Sequence, residues 1–432
     1  MQPLLKQLLS HVVSQGDLKV TMPNGEVVRF GDGTGKPAGF AVHNTATALQ
    51  LVIDPDLHFG EAYMNGDVTV TQGTIFSVLE ILFANAATSV KSLSVDLPYA
   101  IRRKIKRLQQ ANPVGKAREH VAHHYDLSGA LYDLFLDNDR QYSCAYFEGH
   151  GQSLEAAQLA KKRHIAAKLA IEPGMQVLDI GSGWGGLGLY LARTCGAKVT
   201  GVTLSEEQHK LSNRRAEEAG LQDQVNFLLN DYRELTGQFD RIVSVGMFEH
   251  VGVRHYSEMF SKVRDLLHPD GVFLLHSIGR SPGPGATSAW MRKYIFPGGY
   301  APALSEVLPE VEKAGLYTTD IEILRLHYAR TLAEWRKRFA ARRDEAVALY
   351  DERFARMWEF YLASSELSFR HLGLNNFQLQ ATRHQQALPI TRDYMAREEA
   401  RLKRVEQSRK LIPGRRRQPP SPNHRKSGII HS

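Results

Sequence analysis

VLDIGSGWGGLGLYLA, residues 177–192, passes from a short apolar run through a knot of glycines into a second apolar stretch. This is the pattern of a strand, a tight turn and a helix. Gly181, Gly183 and Gly186 satisfy G-x-G-x-x-G, in which the backbone comes close to a ligand at a helix N-terminus whose free amides point outward. On either side, MQVLDIG, AKVTGVTL, VNFLLND, FDRIVSVGM and GVFLLHSIG are short apolar runs separated by helical stretches. Such alternation predicts an α/β fold with a mostly parallel sheet.

The same turn narrows the ligand. Asp179 stands two residues before Gly181, giving D-x-G-x-G-x-G through Gly181, Gly183 and Gly185. A carboxylate there suits a cationic amino-acid group better than a pyrophosphate. A dinucleotide fold also wants an acid about 20 residues on, at the end of the next strand. Here that strand ends in GVTLSEEQ, with Thr203 and Ser205 in place of a ribose-binding acid. The reading is therefore a Rossmann-like domain for S-adenosylmethionine (SAM) in preference to NAD. A turn without any ligand is the bland alternative.

Working outward, 432 residues are ample for two domains, and 43% apolar with 23% charged residues is ordinary for a globular chain. That excludes a disordered, collagen-like or multi-spanning membrane chain. The apolar stretch near the N-terminus is too short for a signal peptide and lacks a small-residue cleavage site. Two cysteines, Cys144 and Cys195, cannot build a disulfide framework or a four-thiolate zinc site, and they suit a reducing cytosol. No metal site is expected.

Residues 1–95 read as a small mixed α/β domain. LKVTMPNGEVVRF alternates about Asn24-Gly25, a hairpin signal, and IFSVLEILFANA reads as a helix. No motif for chemistry lies there, and an accessory, lipid-contacting role is expected. Residues 96–120 form a linker turning into a basic helix, with Ile101, Ile105 and Leu108 on one face among five Lys/Arg. It fits either an anionic membrane surface or a neighbouring element. Residues 121–395 hold the α/β domain. Residues 396–432 read as a basic, disordered tail: positions 397–432 carry eleven Lys/Arg against three Glu, as much as the whole chain's net charge of +8.

In order along the chain, HHYDLSGALYDLFLD, YSCAYF, LDIGSGWGG, GVTLSEEQ, FDRIVSVGMFEHVG, LLHSIG, KYIFPGG and HYARTL resemble the cyclopropane-fatty-acyl-phospholipid synthase family of SAM-dependent methyltransferases. FGEAYMNGDVTV is similar to that family's N-terminal domain. The resemblance implies methyl transfer from SAM to a cis double bond of a phospholipid acyl chain, then loss of a proton and ring closure. It implies a bicarbonate base held by Cys144, Glu249, His276, Ile278 and Tyr328. It implies SAM contacts from Tyr142, Ser143, Asp179, Gly181, Gly183, Thr203, Gln208, Asp231 and Tyr232. Two or three of Tyr142, Tyr146, Phe147, Trp184, Phe248, Tyr294 and Phe296 are expected to wall the acyl tunnel and stabilise a cation; the rest read as core. Some cyclopropane-forming relatives carry a further cysteine where this chain has Ser365 and Glu366.

The expected partner is an unsaturated phospholipid in an anionic membrane surface, met by a cytoplasmic protein at the membrane's inner face, with self-association to a homodimer and no nucleic acid. Two rivals stand beside this. One is a SAM-dependent methyltransferase giving methyl-branched or methylene chains, or acting on another substrate. The other is a lipid- or nucleic-acid-binding module with a degenerate site.

Overall fold

A computed structural model describes residues 2–86 and 128–411. The basic segment 101–107, the histidines at 123 and 124, and residues 412–432 lie outside the described residues.

The alternating runs become a seven-stranded sheet of order β10-β11-β9-β8-β5-β6-β7. Its strands are β5 (Gln176–Ile180), β6 (Lys198–Thr203), β7 (Val225–Leu229), β8 (Phe239–Val245), β9 (Leu267–Arg280), β10 (Tyr317–Ile323) and β11 (Leu374–Thr382). Only β11 runs against the others, between β9 and β10. Side chains alternate between two buried faces. Leu178, Ile180, Ile242, Phe273 and Leu275 pack beneath the helices Tyr256–Leu266 and Leu304–Lys313. Val177, Val199, Phe227, Val243 and Leu274 pack against Ile165 and Leu169 of the helix Leu154–Leu169. Strands covered on both faces explain the near-continuous apolar runs in the sequence. The chain reverses direction of travel across the sheet between β5 and β8, and ligands of open α/β sheets bind at that switch point, beyond the strands' carboxyl ends.

The glycine turn occupies that point. Gly181 and Ser182 both donate their amides to the Val202 carbonyl, at 3.0 and 2.9 Å, binding the turn to β6. Gly185 opens the helix Gly186–Tyr190 at φ +80°, and a Cβ there would stand 2.7 Å from the Phe227 ring. Left-handed backbone and lack of space act together. Gly185→Ala is therefore expected to lower unfolding free energy by about 2–4 kcal/mol, read from urea denaturation. Loss below 1 kcal/mol would show that the turn relaxes.

The N-terminal residues form a second sheet, β2-β1-β3-β4, from β1 (Leu18–Thr21), β2 (Val27–Phe30), β3 (Ala38–Val42) and β4 (Val68–Gln72). The hairpin forms as read, with one difference. Gly25 donates to Met22 O at 2.8 Å and takes φ +85°, so Pro23-Asn24 are the central turn residues and Gly25 follows them. Proline's fixed φ suits the first central position. The helix Ile75–Ala86 matches its reading.

This sheet shares a core with the α/β domain. Phe59 and Tyr63, on the helix Pro55–Asn65, pack on Phe360 of the helix Glu352–His371. Trp290 fits against Gly60, where a Cβ would come within 2.4 Å of the indole nitrogen. Glu61 takes both Lys293 Nζ, at 2.5 Å, and Tyr294 OH, at 2.8 Å.

Part of the basic tail is structured, which corrects the charge-based reading. Residues 396–411 complete the helix Asp393–Leu411. Its acidic residues seat it: Glu406 takes Arg163 at 2.9 Å and Tyr190 OH at 2.7 Å, and Glu399 takes His164 Nδ1. Net charge counted the lysines and arginines but concealed two glutamates, Glu399 and Glu406, that face partners on the domain.

Candidate active site

A cleft opens beyond the carboxyl ends of β5, β6 and β8. All nine residues expected to contact SAM line it: Tyr142, Ser143, Asp179, Gly181, Gly183, Thr203, Gln208, Asp231 and Tyr232. Each position has a local cause. Asp179 is the penultimate residue of β5 and is 2% exposed. Its Oδ2 has no hydrogen-bond partner among the described residues, and burial pushes its carboxyl up to about 7. A buried carboxylate without a partner is costly unless a cation joins it. Gly183, at φ +55°, has open space where a Cβ would project. Thr203 Oγ1 donates to Gln208 Oε1 at 2.7 Å, while Ser205 caps the helix Glu206–Glu218. Asp231 is held bidentately by Arg233, at 2.7 and 2.9 Å. An orphaned carboxylate, an open glycine cradle and polar groups at two strand ends together fit SAM.

Residues 137–143 lie across the glycine turn. Asp139 anchors them through Lys162, at 2.5 Å, and Arg215. Gly186 permits this approach, since a Cβ there would lie 2.3 Å from Gln141 Nε2. Arg140, Gln141, Lys161, Asn230, Met247 and His250 also line the cleft and were not expected from the sequence. Lys161 sits in AKKRH on a helix, which reads as a solvated face; only the fold shows that it is 1% exposed.

None of the five residues of the implied bicarbonate set is among those that line the cleft. Glu249 stands between the cleft residues Met247 and His250. Its Oε1 accepts the Ile278 amide at 2.6 Å, and its Oε2 is buried with no partner among the described residues. Burial pushes this carboxyl up to about 7 against the lowering effect of that amide. His276 is fully buried. Its ring nitrogens face the side-chain amides of Asn376 and Gln378 on β11, each at 3.1 Å. Burial holds its imidazolium down to about 3, so the ring is neutral. A neutral imidazole has one donor and one acceptor, so one amide presents oxygen and the other nitrogen. His276 is thus engaged within the sheet. Cys144 is buried with its thiol near the Ala145 carbonyl, and burial raises its pKa far above the ordinary range. Tyr328 packs on Phe369 and Trp335.

The expected aromatic wall divides. Tyr142 and Trp184 line the cleft, and both pack on Tyr132. Tyr142 OH meets Tyr361 OH at 2.7 Å, and Phe296 bridges from Tyr361 to His250. The others are structural. Tyr146 is stacked between His164 and His327, Phe147 lies under Arg330, Phe248 stacks on Tyr256 in the sheet core, and Tyr294 binds the N-terminal Glu61. At the departure noted in the sequence, Glu366 is buried between Arg336 and Arg370.

Fold and cleft define a SAM-dependent methyltransferase, and the comparisons with known proteins agree. The sequence model for mycolic acid cyclopropane synthetase matches residues 114–379, and a model for a domain of unknown function matches residues 4–94. The chain is 37% identical over 379 residues to the cyclopropane-fatty-acyl-phospholipid synthase of Escherichia coli K12, covering 84% of this chain and 96% of that one. It is 41% identical over 291 residues to a probable fatty acid methyltransferase of Pseudomonas putida, covering 65% and 74%. The crystal structure of mycolic acid cyclopropane synthase CmaA1 complexed with SAH and CTAB superposes with a TM-score of 0.58 at 32% identity, covering 61% of this chain and 97% of that one. The chain belongs to the mycolic acid cyclopropane synthetase family, and its methyl donor is SAM.

Proposed function

We propose that this enzyme methylates a cis double bond in an unsaturated phospholipid acyl chain and closes it to a cyclopropane ring at an anionic membrane surface. The observation that carries the reading is the buried Glu249 carboxyl, unpartnered at Oε2 among the described residues, between the cleft residues Met247 and His250, the second of which packs on Phe296. The identity to the E. coli synthase, whose name gives a phospholipid substrate, supports it.

An alkene is a weak nucleophile, so the protein must hold it in line with the methyl group at near-attack distance. When bound, SAM supplies an electrophilic methyl group and bicarbonate a small base. Attack of the double bond on the methyl would form a carbon–carbon bond as the sulfur–methyl bond breaks, leaving S-adenosylhomocysteine and moving the positive charge to the acyl chain. One proton must then leave the added carbon so that the last carbon–carbon bond can form; the net change is gain of one CH2. Tyr142, Trp184, Tyr361 and Phe296 would keep water from that cation and offer it their ring faces. Glu249 and Ile278, joined by their hydrogen bond, together with Cys144, His276 and Tyr328 make up the set that would hold the bicarbonate. A carboxyl with one free oxygen suits an anion that carries its own proton. His276, engaged by β11, would serve by position.

No described helix is long and apolar enough to cross a membrane. The basic residues at 102–107 and 415–417 would draw the protein to anionic lipid, each adding about 1 kcal/mol near the surface. Homodimer formation belongs to the same proposal. With SAM and monounsaturated phospholipid vesicles, turnover is expected to rise with the anionic lipid fraction and fall with salt. Released acyl chains should gain one CH2, lose vinyl protons and show high-field ring protons by NMR. The same mass gain without ring protons would instead establish a methylene or a methyl-branched, still unsaturated product, either of which would be the work of a fatty acid methyltransferase, the name the P. putida relative carries. No mass gain would reject both.

A further inference from the structure

The cleft holds a second buried charge that the proposed chemistry leaves unused. Lys161 reaches it from the helix Leu154–Leu169, donating to Gln141 Oε1 at 2.8 Å and Ser143 Oγ at 2.7 Å. Both acceptors are neutral, and an ammonium has three donors. Its third N–H has no acceptor among the described residues. The other Lys and Arg side chains lining the cleft are matched with carboxylates: Arg140 with Asp133 and Arg233 with Asp231. The neighbouring Lys162 is matched with Asp139. No described ion pair includes Lys161.

Asp179 is its complement. It too is buried in the cleft with an unpartnered atom, and Lys161 is the one charged group acting on its titration. No ion pair joins the two. Two opposite charges therefore face one cleft, each desolvated, neither neutralised by the other. The amino-acid end of SAM is a zwitterion, with an ammonium and a carboxylate on adjacent carbons, and taking it out of water requires a partner for each.

We infer that Lys161 is the counter-charge for the carboxylate of SAM, opposite Asp179, which takes the ammonium. Ser143 and Gln141 hold the lysine Nζ in place for this, so Lys161 is a binding residue and also fixes the segment that covers the glycine turn. Burial lowers its pKa to about 8, which a bound carboxylate would reverse. The inference depends on SAM being the donor and is independent of the acyl substrate.

The test compares three ligands by isothermal titration calorimetry on the full chain: S-adenosylhomocysteine, its decarboxylated analogue and 5′-methylthioadenosine. Lys161→Met is expected to weaken S-adenosylhomocysteine by about 30-fold or more, and the two ligands lacking a carboxylate by less than about threefold. Equal weakening of all three would reduce Lys161 to a structural clamp and overturn the assignment, as would no change. If the variant does not fold, the wild type decides. Its preference for S-adenosylhomocysteine over the decarboxylated analogue should fall about tenfold between pH 7 and pH 10 as unliganded Lys161 loses its proton, and a constant preference overturns it. Failure of all three ligands to bind the wild type would remove the SAM cleft itself and this inference with it.

Discussion

Asp179→Asn should weaken SAM binding by about a hundredfold or more and raise the stability of the ligand-free protein. The two effects share one cause. Asp179 is fully buried, Oδ2 has no partner, and burial pushes the carboxyl up to about 7 from an ordinary 3.8. The folded state thus holds a proton there more tightly than the unfolded chain does. The associated stability is fully present below about pH 4 and is lost as pH rises through 7. At pH 7.5 the ionised group costs on the order of 4 kcal/mol. Asparagine carries no such cost, so the variant should melt several degrees higher, with a flatter dependence of stability on pH between 4 and 7. Binding runs the other way. The ammonium of SAM needs the ionised carboxylate, so wild-type affinity should be level above pH 7 and fall about tenfold per unit below it. Asparagine removes the charge and with it about a hundredfold or more in affinity. Calorimetric titration with S-adenosylhomocysteine from pH 5.5 to 8.5, beside thermal melts, measures both. A variant that binds normally, or that melts lower, would show that Asp179 is a structural group.

The unequal legibility of this chain has physical reasons. The parallel sheet was plain because its strands are buried on both faces and read as unbroken apolar runs; nothing about β5 or β8 depends on distant context. Asp179 and the glycines that line the cleft were readable for a related reason: they sit at one strand end and in one turn, where local sequence dictates backbone shape, whereas Tyr142, Ser143, Thr203, Gln208, Asp231 and Tyr232 were named only through the family resemblance. Lys161 was opaque. A lysine in a helix reads as solvated, and its burial arises from packing against residues 137–143, which precede it by some 20 positions in sequence. His276 shows a further limit. A histidine at a strand end invites a chemical role, and the sequence does not show that its ring meets the side-chain amides of Asn376 and Gln378, about 100 residues later on β11. The aromatic motifs show the same limit. Tyr142 and Tyr146 are four residues apart in YSCAYF, but one meets the cleft and the other is sandwiched between two histidines. The reading of residues 396–411 as tail failed because net charge averages over a helix whose few acids make its contacts.

Glu249→Gln should lower turnover by about a thousandfold while leaving SAM affinity within about threefold of wild type. Glutamine is nearly isosteric, and its carbonyl can still accept the Ile278 amide that Glu249 Oε1 takes at 2.6 Å. The sheet end should therefore keep its shape. The substitution removes the ability of Oε2 to take or return a proton. Because burial pushes Glu249 up to about 7, about half of the groups are ionised at neutral pH. The proposed role needs the ionised form, which can draw a proton from a bound bicarbonate and so maintain a base beside the acyl cation. Wild-type turnover should then rise with pH through about 7 and level off, and the glutamine variant should lose that rise. Stability should move as for Asp179, with the neutral variant melting no lower than wild type near pH 7.5. What residual product forms is the sharper discriminator. If Glu249 acts in proton removal and not in methyl transfer, the variant should still methylate slowly, and its product should be enriched in methylated chains without a ring. A fall in rate with an unchanged ring fraction would place Glu249 before the cation forms. Full activity would remove the proton role and favour a methyltransferase of another substrate.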